Sequence, residues 1–311
     1  MKVLITGING FVGQYLKVFL EEKGFDVWGI EKWRIKENPK IIECDLLDHW
    51  QVYNILKDLK PIHIYHLAAQ SYVKSSFDSP ANTLNNNIQA ELNIFEAIRN
   101  IKGYNPIIQI AGSSEEYGFV RPSECPITEE QLLKPLSPYA ISKVTQDLLA
   151  QQYFKSYGLR TIITRAFNHT GAGRTEIFAE SNFAKQIVEI KLDKRKYLEH
   201  GNLEAIRDYT DVRDMVRAYY AAVMFCNYGE PYNISSDIGY SIEEILVSLM
   251  GVGIEAGEKI KIKKDKNRMR PSDVPLLIGD SKKFRDKTEW KPIYSIKETL
   301  NTLIEYWKQN V

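Results

Sequence analysis

Cysteine is scarce in this 311-residue chain: Cys44, Cys125 and Cys226 are far apart and odd in number. They form no C-x-x-C pair, which argues against a disulfide framework or a zinc knot and fits a reducing, cytoplasmic compartment. Neither sign of charge is in excess, since 41 Lys and Arg stand against 40 Asp and Glu. Without a basic balance, nucleic acid is not the expected partner. No apolar run approaches the length of a membrane span, so no membrane partner is expected. The opening "MKVLITG" enters a strand-like run without a signal region and cleavage site. Repeats and low-complexity linkers are absent. Of the five histidines, His63 and His66 in "HIYH" fall on opposite faces of a strand, which disfavours a metal site.

Apolar residues make up 44% of the chain, enough for a sizeable core in two domains or one large one. Runs rich in β-branched residues recur at 2–7, 26–31, 40–45, 63–69, 106–112 and 160–167. Helical patterns lie between most of them, at 13–24, 51–60 and 92–101. Strands alternating with helices imply a parallel sheet covered on both faces. The second half is more charged, with shorter apolar runs. It offers helices at 182–192 and 212–225, and two capping boxes, "SIEE" (241–244) and "SIKE" (295–298), that open helices at 242–250 and 296–309. The lysine-rich stretch 259–270 reads as a solvated strand and loop.

"TGINGFVG" (6–13) follows the first strand and enters the first helix, with Gly7, Gly10 and Gly13 spaced G-x-x-G-x-x-G. The first glycine permits a tight turn, the second lets backbone approach a pyrophosphate, and the third lets helix and strand pack closely. Glu31 ends the second strand, 18 residues after Gly13, where an acid accepts hydrogen bonds from an adenosine ribose. A carboxylate there repels a 2′-phosphate, so NAD(H) is favoured. Lys32 and Arg34 beside it could hold such a phosphate, so NADP(H) stays open. Asp45 ends the third strand and has two readings, a contact to the adenine amine or a helix N-cap.

"LSPYAISK" (136–143) starts another helix, with Ser137 as cap, Pro138 in the first position and Gly158 as the closing glycine. Tyr139 and Lys143, four apart, share a face. A tyrosine with an unperturbed pKa of about 10 is a poor proton carrier at neutral pH. A neighbouring ammonium stabilises its phenolate. Ser113 lies at a strand end, where functional residues of an open α/β sheet gather.

Together with "HLAAQSYV" (66–73), "NNIQAELNIFEA" (86–97), "SSEEYG" (113–118) and "RAFN" (165–168), these motifs resemble the extended short-chain dehydrogenases/reductases over essentially the whole chain. The resemblance implies an α/β fold: a Rossmann-type doubly wound parallel sheet at 1–167 and a smaller C-terminal α/β lobe for a nucleotide-sugar at 168–311, with 208–227 returning to the first domain. It implies Ser113, Tyr139 and Lys143 as the catalytic set. It extends the cofactor contacts to Phe11, Val12, Leu46, Leu67, Ala68 and Ala69. It also implies a homodimer through helices at about 85–100 and 139–157.

Within that family, "FNHTGAGRTEIFAESNFAKQI" (167–187), "GNLEAIRDYTDVRDMVRAY" (201–219) and "RMRPSDVPLLIGD" (268–280) resemble the GDP-6-deoxy-D-mannose reductases. Ala172 and Arg174 stand where the reductase pattern has proline and glutamine. The resemblance implies a GDP-linked sugar substrate: Asn168 would contact it, Arg207 and Arg270 would clamp its diphosphate, and Lys185 is a further candidate. His169 is assigned a structural hydrogen bond. The reaction implied is NAD(P)H-dependent reduction of GDP-4-keto-6-deoxy-D-mannose to GDP-D-rhamnose. Glu115 leaves a second reading open, a GDP-mannose 4,6-dehydratase or related epimerase/dehydratase with Glu115 as base. A non-catalytic dinucleotide sensor would be expected to have lost Tyr139 or Lys143, and both are present.

Overall fold

A computed structural model describes residues 1–33, 38–253, 260–268 and 274–311. Six strands of the first half, β1 (Lys2–Thr6), β2 (Asp26–Glu31), β3 (Ile41–Glu43), β4 (His63–His66), β5 (Ile107–Ser113) and β6 (Arg160–Ala166), lie parallel in the order β6-β5-β4-β1-β2-β3. Their side chains alternate between two covered faces. Val3 and Ile5 join a core with α1 (Phe11–Glu22), and Leu4 joins one with α2 (His49–Leu59). Burial on both faces explains why apolar residues stand at consecutive positions, as in Val3, Leu4 and Ile5.

Beyond a short α3 (Val73–Asp78), α4 (Pro80–Asn100) and α5 (Pro138–Tyr157) complete the α2 side. α4 starts well before the expected 92–101. Its first half buries polar side chains, so apolar periodicity does not mark it. Asn87 accepts from the Gln70 amide at 2.8 Å and donates to Ser142 Oγ at 2.9 Å. α5 runs as expected, with Ser137 accepting from the Ala140 amide and Gly158 left-handed at its end.

The second lobe gathers β7 (Asn168–Thr170), β9 (Ile206–Asp211), β11 (Gly239–Ser241) and β13 (Leu276–Leu277) in one small sheet. β8 (Leu198–His200) and β12 (Ile262–Lys264) form a two-stranded ribbon, whose β12 residues are all exposed. The helices α6 (Ala179–Lys191), α8 (Ile242–Gly253) and α10 (Ile296–Asn310) enclose Phe183, Ile187, Leu249, Leu303 and Trp307. Both capping boxes form: Ser241 with Glu244, and Ser295 with Glu298.

The chain does not stay in this lobe. α7 (Val212–Phe225) lies on α1, placing Met215, Tyr219 and Ala222 in the first core. The return then goes beyond residue 227: β10 (Pro231–Ile234) adds a parallel edge strand to β6, and α9 (Lys282–Thr288) covers it. No described helix is long and apolar enough to cross a membrane.

Candidate active site

A cavity of about 530 Å³ opens along the C-terminal ends of β1, β2, β4, β5 and β6, with the start of the second lobe as its other wall. That is where open α/β sheets bind ligands. Its floor is the glycine turn. Gly7 has a φ of 72° and donates to Ile30 O at 2.9 Å. A Cβ on Gly13 would stand 2.3 Å from Gly7 O. Gly10 caps α1 without a side chain. The first-turn amides of Phe11, Val12 and Gly13, all cavity-lining residues, are therefore not covered by a capping side chain.

Glu31 Oε1 accepts the Asn9 amide at 2.5 Å, and burial raises its pKa. Asp45 lines the cavity, accepts from the Leu47 amide at 3.1 Å and pairs with Lys32 at 2.9 Å, which lowers its pKa. The N-cap reading of Asp45 is corrected: Asp48 caps α2, accepting from the Trp50 and Gln51 amides. Leu46, Leu67, Ala68 and Ala69 line the same wall. Arg34 lies outside the described residues. An uncapped helix start, a turn that excludes Cβ atoms and a carboxylate at the end of β2 fit a dinucleotide.

At the other end, β5 delivers Ser113 and α5 delivers Tyr139 and Lys143. The Ser137 cap fixes the start of α5, so the tyrosine falls in its first turn at the cavity and the lysine one turn on. Tyr139 and Ser113 line the same end of the cavity, and Ser113 Oγ accepts the Glu115 amide at 3.2 Å. Lys143 Nζ donates to Ala111 O at 2.8 Å and lies 6.0 Å from the Tyr139 ring centroid. Burial raises the tyrosine pKa strongly and brings the lysine down to about 8. Glu115 also lines the cavity. Glu116 does not: its buried carboxylate accepts the Ser113 amide at 2.7 Å. Behind it Arg165 donates to Asp147 at 2.7 Å and stands 3.5 Å from Glu116.

The far wall holds Asn168, His169 and Arg174. His169 Nδ1 meets Phe167 O at 3.1 Å and its ring stacks on Phe11. Burial pushes its pKa down to about 4, so the ring is neutral. Arg174, read from sequence only as a departure from a pattern, proves to be part of the site. Its guanidinium lies over the Phe178 ring at 3.4 Å and the Phe11 ring at 5.0 Å, and its charge lowers the pKa of Tyr139. The available signal was a cation set in the glycine-rich "TGAGR".

Two expected substrate residues lie elsewhere. Lys185 faces away from the cavity, pairing with Glu176 at 2.9 Å and lying over Trp307. Arg207 is buried in β9, donates to Ile206 O, and does not line the cavity. Arg270 lies outside the described residues.

The family described as GDP-mannose 4,6 dehydratase matches residues 4–303. A GDP-6-deoxy-D-mannose reductase of Pseudomonas aeruginosa is 30% identical over 311 positions, covering 100% of this chain and 98% of that protein. A GDP-mannose 4,6-dehydratase of Vibrio cholerae is also 30% identical, over 341 positions, covering 96% and 91%. The structure of RMD from Pseudomonas aeruginosa complexed with NADPH superposes with a TM-score of 0.86 at 29% identity, covering 100% of this chain and 99% of that one. A UDP-glucose 4-epimerase of Thermotoga maritima, 24% identical, shares the fold over 100% and 99% of the two chains with a TM-score of 0.89.

Proposed function

Because the chain belongs to the GDP-mannose 4,6-dehydratase family of extended short-chain dehydrogenases/reductases, an NAD(P)-binding family of enzymes, we propose that it reduces the C4 keto group of GDP-4-keto-6-deoxy-D-mannose, giving GDP-D-rhamnose. The observation that carries this reading is that Ser113, Tyr139 and Lys143 line one end of the cavity together, the lysine one turn on from the tyrosine and held by Ala111 O. The fuller coverage of the reductase, 98% of its length against 91% for the dehydratase at the same identity, supports this reading.

When bound, the nicotinamide supplies the hydride that reaches C4. Tyr139 gives its hydroxyl proton to the ketone oxygen as that oxygen gains charge, and Ser113 donates a hydrogen bond to the same oxygen. Lys143 as an ammonium stabilises the phenolate left behind and holds the nicotinamide ribose. Glu116 holds the Ser113 backbone, so the serine meets the substrate in one position. Glu31 favours NADH, by accepting from the ribose hydroxyls and repelling a 2′-phosphate. Asn168 contacts the sugar. The diphosphate extends toward β9, which pairs with β7 at Asn168↔Tyr209 and carries Arg207 on the same face as Tyr209. Arg207 and Arg270 are assigned to it. The protein works as a homodimer through α4 and α5, where Ile141 and Leu148, seven apart on α5, are exposed.

Glu115 supports a second reading. It lines the cavity two residues after Ser113, where a base that removes the C5 proton of GDP-mannose would make the protein a dehydratase. Absorbance assays of NADH and NADPH decide between them. Oxidation matching the amount of added 4-keto-6-deoxy sugar supports the reductase. Formation of a keto sugar from GDP-mannose, with no net oxidation, replaces it with the dehydratase.

A further inference from the structure

The second-lobe wall of the cavity carries one large side chain to which the catalytic reading gives no task. Phe178 ends the segment 171–178, directly before α6, and its side chain lines the cavity. Its neighbours Thr175, Glu176 and Ile177 are exposed. Among the described residues, neither Phe178 nor its ring partner Tyr72 belongs to any of the hydrophobic cores. An aromatic ring set in a pocket wall, outside every core, is the kind of surface that ligands use.

The ring is held in place by both lobes. The Arg174 guanidinium covers it at 3.4 Å, and the Tyr72 ring meets it edge to face at 6.1 Å, with 74° between the planes. Tyr72 comes from the first domain, directly before α3, so this contact joins the lobes beside the cavity. The backbone of the segment is fixed as well. Ala172 O accepts from the Tyr15 hydroxyl of α1 at 2.9 Å, Arg174 O from Ser181 Oγ at 2.5 Å, and Phe178 O from the Asn182 amide at 2.8 Å. A ligand that packs on this wall need not order it first.

The other aromatic rings lining the cavity have partners of their own. Tyr139 faces the reacting oxygen. Phe11 is covered by His169 and Arg174. Phe167 stacks on Tyr117 in a small core, and Tyr219 lies in the core under α7. The side chains of Ser71, Glu115 and Asn168, which also line the cavity, are polar.

We propose that Phe178 is the apolar wall of the sugar subsite, on which the hexose lays a C–H face while Ser113 and Tyr139 hold its C4 oxygen. A hexose carries hydroxyls around its rim and C–H groups on its faces. Polar side chains suit the rim, and an aromatic ring suits the face, through dispersion and loss of hydration. The ring offers nothing to the charge that develops at the ketone oxygen. It therefore holds ground state and transition state alike, and acts on affinity rather than on the chemical step.

The assignment rests on the GDP-sugar reading of the site, so the test separates the sugar's share of binding from the nucleotide's. Calorimetric titration of the NADH-loaded protein with GDP and with GDP-mannose, which has no keto group to reduce, gives that share as a ratio of affinities. Phe178→Ala is expected to weaken GDP-mannose about tenfold, the scale on which small apolar contacts discriminate, and to leave GDP within twofold. Phe178→Tyr, which keeps the ring, should stay near wild type. An unchanged ratio in Phe178→Ala overturns the proposal, as does equal affinity of the wild type for GDP and GDP-mannose. Should Phe178→Ala fail to fold, Phe178→Gln, which keeps much of the bulk without the ring, is put to the same comparison. In turnover, KM for the keto sugar should rise by the same factor with kcat within twofold, and a fall in kcat at unchanged KM would overturn the proposal in favour of a role in joining the lobes. A wild type that binds neither GDP nor GDP-mannose refutes the GDP-sugar reading and this assignment with it, whereas GDP-mannose binding that is indifferent to Phe178 refutes the assignment alone.

Discussion

The two ends of the cavity are built from different materials. Around Gly7, Gly10 and Gly13 the wall is backbone, shaped by atoms that are missing. A Cβ at Gly13 has no room and Gly10 brings no capping side chain. Around Tyr139 the wall is made of side chains, and those behind it carry charge into the interior: Lys143, Glu116, Asp147 and Arg165. The first end should therefore be sensitive to added volume and indifferent to most charge changes. The second should tolerate changes of shape better than changes of charge, because an unpaired charge in a buried network costs more than a small cavity.

Substitutions at each end test that contrast. Tyr139→Phe removes one hydroxyl from the side-chain end. Turnover should fall about a thousandfold, within the range for loss of a positioned proton donor, while NAD(P)H binding by fluorescence is retained. Comparable turnover in the variant would rule out Tyr139 as the acid. Arg165→Met keeps much of the volume but strands Asp147 and Glu116. Urea unfolding should show a loss of about 3–5 kcal/mol, and a loss under 1 kcal/mol would mean the network carries little charge. Gly13→Ala adds a single carbon at the backbone end, against Gly7 O. It should cost about 1–3 kcal/mol, as overpacking does, and weaken cofactor binding with little change in the stability contributed by the charged cluster. Normal cofactor affinity in this variant would show that the turn can yield. The smallest effect is expected from Glu31→Gln. Losing its charge should shift preference toward NADPH on the order of tenfold, about 1.4 kcal/mol. A wild type that already prefers NADPH would instead give the phosphate to Lys32.

Much of the backbone end could be read along the chain. The turn, the acid at the end of β2 and the start of α5 each depend on residues within a few positions of one another, so local patterns reveal them. The same holds for the capping boxes at Ser241 and Ser295, and for Tyr139 and Lys143, whose shared face follows from helical spacing. Where polar residues are buried, the pattern is lost. α4 shows no apolar period over its first half because Asn87 and Glu91 spend their side chains inside the protein. Asp45 could be mistaken for a cap because Asp48, three residues on, has the same chemistry.

Residues 1–167 thus announce their parallel sheet, their glycine turn and their Tyr-Lys helix through short-range spacing, since hydrogen bonds to near neighbours leave a regular trace in sequence. The contacts between distant segments leave none. Arg174 enters the cavity and Lys185 turns toward Trp307 because of how α6 sits on the second lobe. Glu116, Asp147 and Arg165 come together from two helical segments and a strand, and no spacing in the chain records that meeting. Long-range packing and the need to balance buried charge set those positions, and both act only once the chain has closed.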